Sequence, residues 1–179
     1  MTNALYTIGH SDRSVAEFVT LLQAADVELV VDVRAFPRSR GNPQFSADEL
    51  PRALAPFAIA YVHIPALGGR RPRQAAVPPA RNALWENRSF HNYADYADSA
   101  AFRAGLERLT ELGRRQPCAI MCAEAVWWRC HRRIIADHLI SRGERVFHIM
   151  PDGRITRAKR TPGARRRRDG TLAYPAAQA

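Results

Sequence analysis

Short apolar runs alternate with amphipathic stretches along the chain, a pattern that predicts strands separated by helices. Leu5 to Ile8 reads as a first strand, stopped by Gly9-His10-Ser11. Ser14 and Glu17 have capping-box spacing, and Val15, Phe18, Val19, Leu21 and Leu22 then fall on one helical face. The β-branched run from Val27 to Val33 has the continuity of a strand covered on both faces, and it ends at Arg34. A loop rich in Pro, Arg and Gly follows from Phe36 to Phe45, then a short helical candidate interrupted by Pro51. Tyr61 to Ile64 is a third strand running into Leu67-Gly68-Gly69, and the weakly periodic stretch from Arg70 to Ser89 reads as a surface excursion. Phe102, Leu106, Leu109 and Leu112 mark another helix, with Gly113 as its expected C-cap. Cys118 to Cys122 is a fourth strand, Cys130 to Arg142 a helix ended by Gly143, and Val146 to Met150 a fifth strand.

Repeated strand–helix units imply right-handed crossovers. The expected fold class is therefore α/β: a single domain with a mostly parallel central sheet of about five strands and helices on both faces. It occupies residues 1–150, and an Arg-rich C-terminal extension follows over 151–179. The turn and strand signals at Thr161-Pro162-Gly163 and Asp169 to Tyr174 predict that part of this extension folds back onto the domain. A length of 179 residues suits one domain. In such a sheet, ligands bind outside the carboxyl ends of the strands.

Composition changes the picture through charge. Hydrophobic residues make up 46% of the chain, enough for a core, and 27 cations against 17 acids leave +10. Of those cations only Lys159 is a lysine. Arginine's planar fork suits phosphate and carboxylate, although genomic base composition explains the same bias. From Pro151 onward eight cations face Asp152 and Asp169, so the tail carries +6 and the preceding 150 residues +4. That asymmetry makes nucleic acid a candidate partner, with a solvated charge run as the alternative. Cys118, Cys122 and Cys130 are too few and too bunched for a disulfide framework, and no leader pattern opens the chain, so a cytoplasmic location is expected. No apolar run is long enough to span a membrane, and no membrane partner is expected.

Four proposed strands end in polar or glycine residues of the kind binding sites use: His10 and Ser11, Arg34, Gly68 and Gly69, and Cys122 with Glu124. On a parallel sheet these ends share one rim. The segment from Met121 to Arg133 passes from strand through loop to a helix N-terminus, where free N–H groups attract anions and stabilise a thiolate. Arg132 or Arg133 strengthens both effects. Cys122 and Cys130 are thus either nucleophiles or small buried hydrophobes, and Cys118 reads as core. Glu124 is a proton carrier or a salt-bridge partner, and His131 a substrate-orienting group or a cap. The thiol spacing does not support zinc, and neither metal nor cofactor is expected. Trp127 and Trp128 shield the loop from water or offer a stacking platform.

Tyr6-Thr7-Ile8-Gly9-His10-Ser11, Val31-Asp32-Val33-Arg34 with Pro37-Arg38-Ser39-Arg40, Pro43 and Phe45, Leu67-Gly68-Gly69, Tyr93-Ala94-Asp95-Tyr96, and Cys122-Ala123-Glu124 with Cys130-His131-Arg132 occur in this order. As a set they resemble the uncharacterised bacterial family catalogued as domain of unknown function number 488, over nearly the whole chain. The resemblance implies a compact α/β domain with these residues around one cleft, and no established reaction. Two departures stand out. Val126, Trp127 and Trp128 replace the acidic residue and proline of many relatives, and the Pro-His pair of many relatives is absent near Thr156 and Arg157. A looser likeness links the cysteine loop to rhodanese and cysteine-phosphatase folds. Here, however, Arg129 lies seven residues after Cys122, and no glycine intervenes.

The reading that follows is an enzyme for an anionic, phosphate-bearing small molecule or nucleotide. Cys122, Glu124, His131 and His10 are its catalytic candidates. Gly9, Ser11, Arg34, Arg38, Arg40, Gly68, Gly69, Tyr96, Cys130 and Arg132 are its substrate-binding candidates. Two alternatives stay open: a nucleic-acid-binding or processing module that uses the Arg-rich tail, and a regulatory ligand domain without turnover. The oligomeric state is not encoded in any of these signals.

Overall fold

A computed structural model of the chain describes residues 3–178. Its helices and strands run in the order β1 (Leu5–Gly9), α1 (Val15–Ala24), β2 (Leu29–Asp32), α2 (Leu50–Leu54), β3 (Ala60–His63), α3 (Arg88–Tyr96), α4 (Ala100–Arg115), β4 (Cys118–Cys122), α5 (Arg132–Ser141), β5 (Val146–Ile149), β6 (Ile155–Arg157), β7 (Arg165–Arg166) and β8 (Leu172–Ala173). The first six strands to form a sheet are ordered β3-β2-β4-β1-β5-β6. All neighbours are parallel except β5 and β6. The fold is the expected α/β domain with a mostly parallel sheet.

Side chains alternate across the strands and sort the core into two layers. Ile8, Val30, Ala119 and Met121 pack with α1 and α2 on one face, through Phe18, Leu22, Leu50 and Leu54. Leu5, Val31, Ile120 and Cys122 pack with α3, α4 and α5 on the other, through Tyr93, Leu106 and Ile134. The first helix begins as its sequence predicts, with the Ser14 hydroxyl accepting from the Glu17 amide at 3.1 Å. Cys118 is fully buried, and burial pushes its thiol up to about 12.

Two expectations need correction. Gly113 does not cap α4 but lies inside it, where a Cβ would come within 2.6 Å of Leu5 Cδ2. The glycine lets the helix approach β1 closely. The stretch from Arg70 to Ser89 is not wholly a surface excursion. Asn82 is buried and donates to Asp95 at 2.7 Å, Trp85 joins the core, and α3 starts at Arg88. Its helical face was obscured by a mean composition that is polar.

Beyond residue 150 the chain adds β6 antiparallel to the sheet edge and a small β7–β8 hairpin. Tyr174 is fully buried and donates its hydroxyl to Asp137 of α5 at 2.7 Å. Its backbone N–H donates to the Arg81 carbonyl, and its own carbonyl accepts from Leu84. No helix among the described residues is long and apolar enough to cross a membrane.

Candidate functional site

β4 lies between β1 and β2 in the sheet, with Gly9 opposite Cys122 and Asp32 opposite Met121. The carboxyl ends of these three central strands therefore open at one point, the crevice where α/β sheets bind ligands. Above it lies a cleft of about 570 Å³. Its floor is His10, Arg34, Cys122 and Cys130, and its walls include Arg38, Gly69, Glu124 and His131. The structure thus gathers these eight sequence candidates at one mouth.

Gly9 does not line the cleft but is required beneath it. A Cβ there would stand 1.8 Å from the Glu124 carbonyl oxygen, so only glycine lets the β4 loop cross the end of β1. Gly68 backs onto Ala35, and Ser11 and Arg40 lie outside the lining. Tyr96 is buried, with its hydroxyl on the Ala66 carbonyl and the Arg71 guanidinium over its ring, so it supports the loop before the cleft rather than the ligand space. A Cβ at Gly69 would meet the His131 ring at 2.9 Å.

Arg34 was expected to meet an anion, yet its fork is already occupied. Nε and Nη2 hold both oxygens of buried Asp32 at 2.9 and 2.7 Å, and Nη2 also donates to the Phe45 carbonyl. Tyr61 donates its hydroxyl to the same carboxylate. Nη1 remains and faces His10 Nε2 at 3.3 Å. His10 Nδ1 is on the Ser11 carbonyl at 2.7 Å and must be the protonated nitrogen, which leaves Nε2 to accept from Arg34. Burial, followed by the Arg34 charge, holds this imidazole below its ordinary value despite the Ser11 contact. His10 thus arrives neutral with both nitrogens engaged, stacked on Phe45 at 4.5 Å.

The thiols have the unusual surroundings. Cys122 ends β4, and Cys130 sits two residues before the first turn of α5, so strand and helix aim their sulfurs at one another. The Sγ atoms are 2.6 Å apart, and both cysteines are unbonded. Arg132, 1% exposed, donates Nε to Cys122 Sγ at 3.0 Å, Nη1 to Thr7 Oγ1 at 3.1 Å and Nη2 to the Glu124 carbonyl at 2.7 Å. Its backbone N–H points to Cys130 Sγ at 3.4 Å. None of these acceptors is a carboxylate. A guanidinium taken out of water needs a counter-charge, and the thiol pair is the group in contact that can supply it. Burial pushes the Cys130 thiol up, but the hydrogen bond from Cys122 and the Arg132 charge outweigh it and bring it down to about 6. Burial and the same bond push Cys122 well above its ordinary value. The two thiols thus shift in opposite directions, as members of a coupled pair that shares one proton.

Around the pair, His131 donates Nε2–H to the Val33 carbonyl at 2.6 Å, and its Nδ1 lies 3.4 Å from Cys130 Sγ, a contact that is a hydrogen bond only when Cys130 is protonated. Arg132 is held from behind by Thr7, whose hydroxyl reaches His148 Nδ1 at 2.7 Å. Burial, then the Arg132 charge, lowers His148 to about 3, so it accepts as a neutral ring. Trp127 stacks on that ring at 4.4 Å, whereas Trp128 is 43% exposed.

Sequence reasoning missed part of the wall. Asn87 and Ser89 at the start of α3 line the cleft, as do Arg70 and Arg129. Asn87 Oδ1 accepts from the amides of Ser89 and Phe90, an N-cap whose sequence signal is the asparagine itself. Exposed Arg38, Arg70 and Arg129 make no ion pair among the described residues. Among the described residues no group of three or more His, Cys, Asp or Glu side chains is placed to hold a metal ion.

The sequence pattern of one family, described as Domain of unknown function DUF488, matches residues 14–139. No curated protein and no solved structure shows significant similarity to the chain.

Proposed function

This chain belongs to the DUF488 family, whose description assigns no chemistry, and from its cleft we propose a thiolate-dependent enzyme acting on an anionic, phosphate-bearing substrate. One observation carries the reading. The buried Arg132 guanidinium has the Cys122 thiol, a hydroxyl and a carbonyl as partners and no carboxylate, and its backbone N–H reaches Cys130, which supports a thiolate at the floor of an open cleft. Cys130 is the nucleophile of this reading, because its thiol is the one brought down, to about 6, with Cys122 as its contact neighbour. Glu124, exposed at the mouth, is the proton carrier, and Arg38, Arg70 and Arg129 meet the substrate's negative charge.

Inorganic phosphate is expected to slow alkylation of Cys130 by iodoacetamide in a saturable way. Arg129→Ala or Arg38→Ala should weaken that protection about tenfold, the lower end for one charge-assisted contact because both arginines are solvated. Protection that is absent, or unchanged in both variants, would overturn the anion-binding part of the reading.

A second reading is favoured by the tail. Arg165, Arg166 and Arg168 are exposed on the β7–β8 hairpin and make no ion pair among the described residues. These support contact with a nucleic-acid backbone. Binding of a short DNA duplex should then fall linearly in log K against log salt, with a slope of about −0.9 for each phosphate neutralised. Alanine at the three arginines should flatten it. A slope that does not change in the triple variant would sink this reading.

A further inference from the structure

The two cysteines do more than share a proton. Their sulfurs stand 2.6 Å apart, and a sulfur–sulfur bond is about 2.05 Å, so a small approach of the two sulfurs closes one. The two thiols are contact neighbours, and both line the cleft. Cys118, the third thiol, lies four residues away along β4 with its S–H on the Gln116 carbonyl, and belongs to the core. The arrangement is that of a nucleophilic thiol with a resolving partner already in place.

We propose that Cys122 and Cys130 form a redox couple that reduces a small hydroperoxide entering the cleft. The Cys130 thiolate attacks the terminal peroxide oxygen, the O–O bond breaks, and the alkoxide leaves as the alcohol after taking up a proton. Cys130 is then a sulfenic acid, oxidised by two electrons. The Cys122 sulfur attacks that sulfur, the S–O bond breaks, and hydroxide leaves as water with the Cys122 proton. The sum is two thiols and one hydroperoxide giving one disulfide, one alcohol and one water. A small external dithiol returns the couple to its starting state by exchange.

Arg132 sets the direction in which the couple is poised. Its guanidinium donates to Cys122 and its backbone N–H to Cys130, so the charge shared by the reduced pair faces Arg132 and is lost in the disulfide, and the reduced form is the one the fold stabilises. The disulfide is correspondingly easy to reduce, as a turnover cycle requires and a structural cross-link does not. The side chains behind Arg132, Thr7 and neutral His148, hold it in place through either state.

The inference rests on the thiolate reading of the site, and its test separates the two. The full chain, reduced and freed of reductant, is treated with one equivalent of hydrogen peroxide, then unfolded and alkylated, which exposes buried Cys118. Of its three cysteines, Cys118 alone is expected to remain alkylatable, with a loss of two hydrogens in the intact mass and a Cys122–Cys130 link in the peptide map. Dithiothreitol should restore all three. In Cys122→Ser the reaction should stop at a Cys130 sulfenic acid that dimedone captures. Cys130→Ser should react no faster than a free model thiol. Three thiols surviving the peroxide, or a link through Cys118 or between chains, overturns the couple. If alkylation still titrates near pH 6 in that case, the redox inference alone fails. If it titrates like an ordinary thiol, the thiolate reading fails with it.

Discussion

Replacing Arg132 with methionine is expected to destabilise the fold by about 3 to 5 kcal/mol, the usual cost of removing one partner from a buried charge pair. Methionine fills much of the side-chain volume, so the loss comes chiefly from unpaired groups. Thr7 Oγ1, the Glu124 carbonyl and the Cys122 sulfur all lose a donor inside the protein. Urea unfolding measures the effect, and its pH dependence identifies the cause. The folded Cys130 titrates near 6 and the unfolded thiol near 8.5, so between these values the unfolded chain binds more protons than the folded one. Wild-type stability should therefore rise from pH 6.5 to 8.5 by on the order of 2 to 3 kcal/mol, and it is lost as the pH falls through about 6. His10, His131, His138 and His148 are held below their ordinary values by burial, so they add a smaller rise at the lower edge of that window, and the raised Cys122 acts above it. In Arg132→Met the rise should flatten. A variant as stable as the wild type, or one that keeps the full rise, would show that the guanidinium does not hold the charge.

Alkylation of the wild-type chain should show an inflection near pH 6, about 2.5 units below an ordinary thiol, and Cys130→Ser should remove it. The midpoint is the diagnostic quantity, more than the rate. At pH 7 a thiol of this kind is about 90% ionised against a few per cent ordinarily, but a thiolate of low basicity is also a weaker nucleophile, and the two effects largely offset. Cys130 is in addition only 6% exposed, which slows any reagent. The rate is expected to fall on acidification through the midpoint, since protonation removes the attacking species. Cys122→Ser should raise the midpoint, because serine is a weaker partner to sulfur and the Cys122 bond is the largest favourable influence on Cys130. An inflection at an ordinary thiol value in the wild type would remove the nucleophile from the proposed enzyme.

The fold was largely legible because its signals are local. The continuous run before Arg34, the capping box at Ser14 and Glu17, and the apolar pentad ending at Cys122 each report burial through their own neighbours, and the strands and helices appear there with shifts of one or two residues. Gly113 misled because glycine signals two different things, a backbone turn and a close approach, and the choice between them lies in Leu5 across the domain. Helix α3 was missed because its first turn lies among arginines and its buried face is mostly tyrosine and alanine.

For the site, the strand pattern placed His10, Arg34, Gly69, Cys122 and Glu124 at the carboxyl rim, since parallel strands bring their ends to one side. What each group does there followed from contacts between residues distant in the chain. Asp32 takes the Arg34 fork and leaves little of it for a ligand, Val33 and Ser11 fix the histidine tautomers, and Arg132 turns inward to the sulfurs. Charge state depends on burial and on what stands within a few ångströms, and neither is a property of sequence spacing. Composition and periodicity determined the sheet and its rim. Only the packing of β4 against α5 decided that two thiols meet there against a buried guanidinium.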